Sequence, residues 1–380
     1  MGTMRREILA DKPVNTGRQV EVDIGKATMV LMLPFIHSII ECSTDAQFDY
    51  GLSFLFDTII GGPFSAPMYL FAMGIGMVYS RKVTTAERVK RGLKLIGVFY
   101  IAQTFRFLIP YLIGYGISGD REQFIDPLIY KWLGSDVLLF AGLASIVIAI
   151  FIHWGFSSAM MIEVAVCTLL ITNLVGDIDT GSGAGNIILG YFMGTTDAEE
   201  MVVSDYPLLT WLIVPVCGYA FGRLLIRLKN KDRFYGIITV PLLIVPIIWY
   251  WIGNYYELGV YDYGQNAYYH MMAYDCLWYL CLTVGMLGLW HFLSKFMGDG
   301  LIAFFTETSR NITSFYCIHW VFVICITNVI LYIVNGTQVF PLPYVMLIAL
   351  GIDIVTWFMA HYWNIWKKSK AAAGTKLLTR

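Results

Sequence analysis

The chain is 380 residues long, 57% hydrophobic and only 14% charged, with a formal net charge of -1. Soluble domains carry about 25% charged residues, so the composition excludes a soluble globular protein and reads as a membrane protein. The near-zero net charge hides an uneven distribution of charge along the chain.

Residues 1–20 are polar and lack the apolar core and small-residue cleavage site of a secretory signal. The first span is therefore expected to act as the insertion signal. It is the stretch 22–41, VDIGKATMVLMLPFIHSIIE, which is apolar enough to cross a membrane yet carries Lys26, His37 and Glu41. Ionisable groups in hydrocarbon are costly and point to function. Lys26 and His37 share one helix face, separated by roughly 16 Å at 1.5 Å rise per residue. Glu41 follows His37 by one helical turn, where the two side chains can meet. A carboxylate there would orient the imidazole and raise its basicity, and a neutral histidine can take a proton from an attacking hydroxyl or amine.

A span needs about 20 mainly apolar residues. Ten segments qualify: 24–41, 64–80, 92–115, 136–153, 157–175, 207–226, 234–252, 272–293, 311–334 and 343–363. The expected fold is all-α and polytopic, with about ten transmembrane helices and both termini cytoplasmic. Residues 1–23 form a cytoplasmic segment, 24–363 one membrane domain and 364–380 a cytoplasmic tail. Orientation follows from lysine and arginine, which favour the cytoplasmic side. Arg5, Arg6, Lys12 and Arg18, then Arg81, Lys82, Arg88, Lys90 and Arg91, then Arg227, Lys229, Lys231 and Arg233, then Lys367, Lys368 and Lys370 all fall on one side by span counting. The opposite connections are acidic, with Asp45, Asp49 and Asp57, then Asp177, Asp179, Asp197, Glu199, Glu200 and Asp205, then Glu257 and Asp262. The long outer stretch 176–206 reads either as a lid that dips back or as a plain surface loop. The tyrosine-rich stretch 253–271 suits the membrane interface, with a sugar platform as the sharper alternative.

Polar groups inside the spans are the candidates for chemistry. Arg106 lies at a depth similar to His37, and Pro110 after it would open backbone groups to a cavity. A buried arginine needs an anion, so Arg106 pairs with Glu41 or Asp136 or receives an anionic substrate group. Asp136 and Asp275 sit at the outer ends of their spans and read as caps. His319 either bonds a backbone carbonyl alone or takes part in chemistry. Lys26, with Arg88, Arg91 and Arg223 at the inner side, could hold a phosphorylated cofactor, and the 26–37 separation is comparable to an extended pantetheine arm. Lipid headgroups and topology also account for these basic residues. No Walker motif, HExxH zinc site or GxSxG elbow occurs. The seven cysteines show no paired metal spacing, although Cys42 and Cys276 both fall near the outer surface, where a disulfide is open.

The first span resembles the opening of the acyltransferase-3 family: an acidic residue, arginine, ten residues, then histidine. Here these are Asp23, Lys26 (lysine in place of arginine) and His37. Residues 66–82, 136–147, 206–225 and 309–320 resemble the related heparan-α-glucosaminide N-acetyltransferases. The last run carries an asparagine–serine–tyrosine–histidine signature in Asn311, Ser314, Tyr316 and His319. The resemblance covers residues 22–363. It implies a multi-pass acyltransferase of the cell membrane, taking acetyl-CoA or another acyl-CoA from the cytoplasm and acylating a hydroxyl or amine of an extracytoplasmic sugar or glycan. His37 would be the general base or an acylated intermediate, and Glu41 would orient it. Lys26, Arg88, Arg91 and Arg223 would bind CoA, and Arg106, Asn311, Ser314, Tyr316 and His319 would line the tunnel. No metal is implied. The partners implied are acyl-CoA, the acceptor and lipid, with no nucleic acid and a homodimer left open. The rival from another class is a secondary transporter or flippase for a small solute or lipid-linked sugar, for which buried charges and glycine- and proline-interrupted helices also suit.

Overall fold

The computed structural model describes residues 7–44, 51–81, 84–196, 204–256 and 268–378. Arg5, Arg6, Lys82, Asp45, Asp49, Asp197, Glu199, Glu200, Glu257 and Asp262, and most of the tyrosine-rich stretch, lie outside these residues. Among the described residues the architecture is helical throughout, and nine helices are long and apolar enough to cross a membrane.

The first span is α1, Val20–Cys42, continuous despite Pro34 within it. The second expected span is built in two parts. A wide-turn π-helix, Leu55–Ser65, runs into α2, Ala66–Val78, which at 13 residues is too short to cross alone. The third span starts at α3, Thr85–Gln103, with a capping box in which Thr84 and Glu87 satisfy each other's backbone N–H groups. It passes through a π segment, Thr104–Leu108, into α4, Ile109–Ser118. Then come α5, Val137–His153, and α6, Ser158–Val175, capped by Asp136 and Ser157. They form the tight hairpin that the short HWGF connection dictates.

A short helix, α7, Gly183–Gly190, lies at one end of the bundle. It is followed by α8, Ile213–Leu225; α9, Lys231–Tyr255; α10, Ala273–Leu293; and α11, Asp299–Arg310. The ninth expected span is α12, Ile312–Ile324, continued by a π segment, Cys325–Leu331. The last is α13, Leu342–Leu378, which extends well past the expected end at 363 because its polar C-terminal half keeps good helix formers.

With no hydrophobic drive between helices in lipid, close packing depends on small residues. A Cβ on Gly74 of α2 would stand 2.0 Å from the Pro215 carbonyl oxygen, and one on Gly218 of α8 would stand 2.0 Å from that of Phe71. The α3–α5 pair uses Gly92 and Gly142 in the same way. The largest apolar cluster lies around these helices, with Trp211, Phe71, Tyr235 and Tyr279 almost wholly buried.

The connections sort into two ends. At one, Ala10 N–H donates to Arg227 O at 2.8 Å, the Tyr79 hydroxyl to Asn15 O at 3.1 Å and Arg18 to Thr306 O at 3.2 Å. At the other, Gln123 bonds Gln338 at 3.1 Å and the Ser135 hydroxyl donates to Asp205 O at 2.7 Å. The described basic connections share the first end and Asp177, Asp179 and Asp205 the second, the division that their charges lead one to expect. Cys42 and Cys276 are both buried free thiols.

Candidate functional site

Three helices meet at His37. Its ring lies 3.8 Å from the ring of Trp320 and 5.4 Å from that of His319, centroid to centroid, both on α12. The Arg106 guanidinium carbon stands 3.3 Å from the Trp320 ring centroid and 4.5 Å from that of Phe107. Arg106 sits at the centre of the π segment 104–108, four residues before Pro110. A wide turn ejects one residue from the helical register, and here it turns a cationic side chain inward from an otherwise apolar helix.

Asp136 anchors this group. It is 5% exposed. One carboxylate oxygen caps α5 by accepting from Leu138 N–H at 2.6 Å. The other accepts from Arg106 at 3.2 Å and from the Tyr316 hydroxyl at 2.6 Å. Of the two expected partners for Arg106, the protein uses Asp136. The expected cap is thus also the acid that fixes Arg106 and Tyr316. Beside them lies a narrow cleft of about 10 Å³, room for one water, lined by Phe99, Gln103, Arg106, Asp136, Tyr316 and Trp320 among others.

His319 is fully buried. Its Nδ1 lies 3.2 Å from Phe315 O, and its Nε2 has no hydrogen-bond partner among the described residues. The Arg106 Nε–H is likewise buried and has no hydrogen-bond partner among the described residues. Such groups are expensive to leave unmade, and these two nitrogens both belong to the cluster around Trp320.

Glu41 is placed differently from its expected role. Its carboxylate accepts from the Asn328 amide at 3.0 Å, and no hydrogen bond joins it to His37 among the described residues. Asn328 lies in the π segment 325–331 and also approaches the Tyr111 hydroxyl at 3.5 Å.

At the basic end Asp23 is the hub. It accepts from the Ser309 hydroxyl at 2.6 Å, pairs with Lys26 at 3.4 Å and is bonded by Arg18. It thereby ties the N-terminal segment, α1 and α11 together. Arg91 lies within electrostatic range of Lys26. Arg88 is half-buried, and Arg91 and Arg223 are exposed. Asn311 breaks the chain between α11 and α12, and Ser314 lies in the first turn of α12, half-buried.

A model of the family described as heparan-alpha-glucosaminide N-acetyltransferase, catalytic, matches residues 18–256. The chain belongs to this family. No curated protein and no solved structure matches it. The matched part of this heparan-α-glucosaminide N-acetyltransferase family member contains Asp23, Lys26, His37, Glu41, Arg88, Arg91, Arg106, Asp136 and Arg223. Asn311, Ser314, Tyr316 and His319 lie beyond it, and the fold itself brings Tyr316 and His319 to the matched residues His37 and Asp136.

The acidic end holds a cluster that no sequence motif marks. His270 Nδ1 lies 2.8 Å from Asp177 and its Nε2 lies 2.7 Å from the Ser204 hydroxyl. The order resembles a nucleophilic triad, but Ser204 is only 2% exposed and its oxygen already accepts from Thr195 N–H at 2.9 Å. This family member therefore uses the three as a clamp between the 176–206 and 253–271 stretches. Next to the clamp, Tyr206 holds φ +55°, the only positive φ of a non-glycine among the described residues. Such strain costs on the order of 1–3 kcal/mol and persists where the surroundings over-determine it. Here they do: Tyr206 packs edge-on against Trp211 at 4.9 Å and Tyr269 at 5.1 Å. Of these residues, Trp320 directly follows His319 in sequence and could have been read as its companion. Asn328, Ser204 and His270 carry no local pattern that marks them.

Proposed function

We propose that the protein is an integral-membrane acetyltransferase of the cell membrane. It moves an acetyl group from acetyl-CoA, or another acyl group from its CoA thioester, to an amino or hydroxyl group of a sugar presented at the opposite face. The observation that carries this reading is the stack of His37 on Trp320 beneath Arg106, in a chain of this family.

The donor would enter at the basic end. Lys26, Arg88, Arg91 and Arg223 would meet its phosphates there, and the α1 face would carry the thioester towards His37. His37 would take the proton of the attacking group or carry the acyl group itself. Arg106, held by Asp136, would stabilise the oxyanion that forms on the thioester carbonyl, because a fixed cation in a water-poor site acts most strongly where charge develops. Tyr316 and His319 would contribute polar atoms to the same space. The acceptor would approach from the acidic end, past Asp205 and Tyr206.

The test is direct. Purified protein in nanodiscs is incubated with labelled acetyl-CoA, and CoA release and label on a sugar acceptor are followed, with His37→Ala as control. No release above background by the intact protein overturns the reading. Counterflow of a sugar in liposomes without any acyl-CoA is the result a transporter would give.

A further inference from the structure

Between Lys26 and His37 the same face of α1 carries Val30 and Leu33, because helical neighbours three and four apart line up. Both are buried, and with Phe315 and Ala360 they form a small apolar cluster of their own. Tyr69, in the first turn of α2, packs on this cluster, as do Tyr316 and Trp357. These aromatic side chains bring the cluster's polar atoms. The Tyr316 hydroxyl donates to Asp136 at 2.6 Å, and the Trp357 Nε1–H donates to the Thr308 hydroxyl at 3.1 Å. The Tyr69 hydroxyl is buried and has no hydrogen-bond partner among the described residues.

A buried hydroxyl without a partner bears its full desolvation cost. Phenylalanine would fill the same space without that cost, so the oxygen calls for a partner from outside the chain. Its level in the membrane narrows the choice. Leu33 and Val30 stand about 6 and 10 Å from His37 towards the basic end, at 1.5 Å rise per residue. In an extended pantetheine arm the two secondary amides lie roughly 5 and 10 Å from the thioester carbon, by standard bond lengths. A thioester placed at His37, with its arm along this face, thus brings an amide to the level of Tyr69.

We propose that Tyr69 is a donor-positioning and specificity-determining residue: its hydroxyl donates to an amide carbonyl of the pantetheine arm, which sets the depth at which the thioester stops beside His37. The assignment rests on the acetyltransferase reading for the identity of the donor. The remaining surface of the cluster is apolar and suits the methylenes on either side of the amide. A site built to bond one group rejects the analogue that lacks it, so the same hydroxyl makes the site prefer pantetheine thioesters to thioesters without an amide.

The experiment compares the intact protein with Tyr69→Phe in nanodiscs, using acetyl-CoA and the acetyl thioester of 2-mercaptoethanol, which has no amide. Tyr69→Phe is expected to raise KM for acetyl-CoA about five- to tenfold, to leave kcat within about twofold, and to leave KM for the amide-free thioester unchanged. Without ligand the variant should melt at the parent's temperature or higher, since it loses an unpaired group, while the stabilisation given by CoA should fall. An unchanged KM for acetyl-CoA, or equal rises for both donors, overturns the proposal and leaves the acetyltransferase reading standing. A variant that fails to fold shows that the hydroxyl has a structural partner, and overturns it too. If the intact protein transfers no acetyl group but is stabilised by CoA, the acetyltransferase reading falls and binding decides: a smaller stabilisation in Tyr69→Phe sustains the assignment, and an equal one overturns it. If CoA neither reacts with nor stabilises the intact protein, both fall.

Discussion

The guanidinium carbon of Arg106 stands 3.3 Å from the centroid of the Trp320 ring, and the same indole packs at 3.8 Å on His37. The indole thus separates a fixed cation from the candidate base while holding both in register. A cation on an aromatic face is worth about 2 kcal/mol or more when water is excluded. The orientation of His37 accordingly comes from α12 and the π segment of the third span, with Glu41 turned to Asn328.

Removing the indole should misplace both partners. Trp320→Leu is expected to lower kcat about 30-fold with little change in the KM for acetyl-CoA, and Trp320→Phe to recover part of the loss. An unchanged kcat in Trp320→Leu would show that the stack is packing alone.

His37→Ala should cost roughly 10²–10⁴ in kcat, the range for loss of a positioned acid–base group. Glu41→Gln should cost less than about tenfold, since its partner is the Asn328 amide. Should Glu41→Gln prove as damaging as His37→Ala, the carboxylate must reach the imidazole during turnover.

Asp136 bears structure as well as charge. Asp136→Asn leaves Arg106 buried without its counter-charge, and breaking such a pair typically costs about 3–5 kcal/mol. A marked fall in thermal stability in nanodiscs is expected, larger than that of Tyr316→Phe, which removes one neutral donor. Similar melting for the two variants would mean that Arg106 finds another anion.

The glycine crossing of α2 and α8 should tolerate no side chain. Gly74→Val must push a Cβ against the Pro215 carbonyl, which exceeds the roughly 1–3 kcal/mol of ordinary overpacking. Loss of folded, monodisperse protein is expected by size exclusion. Gly76→Ala, where a Cβ meets nothing within 4 Å, serves as the control and should behave as the parent.

Asp205 gives a pH signature. Burial and the nearby Asp136 charge push its carboxyl up to about 7 from an ordinary 3.8. A raised carboxyl favours the folded state when protonated, so its contribution is fully present below about 3.8 and is lost as pH rises through about 7. The parent and Asp205→Asn should therefore melt together near pH 4, and the asparagine variant should melt higher at pH 8. A difference between them that does not change with pH would mean that Asp205 titrates alike in both states.

The spans were readable because ten long apolar runs stand between polar connections; α5 and α6 begin and end within a residue of expectation. The shortness of α2 was not readable, because its preceding residues are equally apolar and only tertiary packing converts them to a π-helix. The rule that an arginine in apolar surroundings needs an anion narrowed Arg106 to Glu41, Asp136 or a substrate anion, and the fold selects Asp136. Sequence spacing placed Glu41 one turn from His37, but proximity along a helix does not decide a hydrogen bond, and Asn328, nearly 300 positions away in sequence, takes it. Trp320, Asn328 and the His270 clamp depend on contacts between distant segments, which leave no periodic trace.

The one-water cleft beside Arg106 bears on permeability. A route for an acyl group from one face to the other is also a route for ions and protons unless something closes it. Phe99, Leu138 and Trp320 line the cleft beside the charged pair, and the wide-turn segment of the third span brings Arg106 to it. On the proposed acetyltransferase reading, the same narrowing that keeps the membrane tight would also hold the donor thioester away from bulk water.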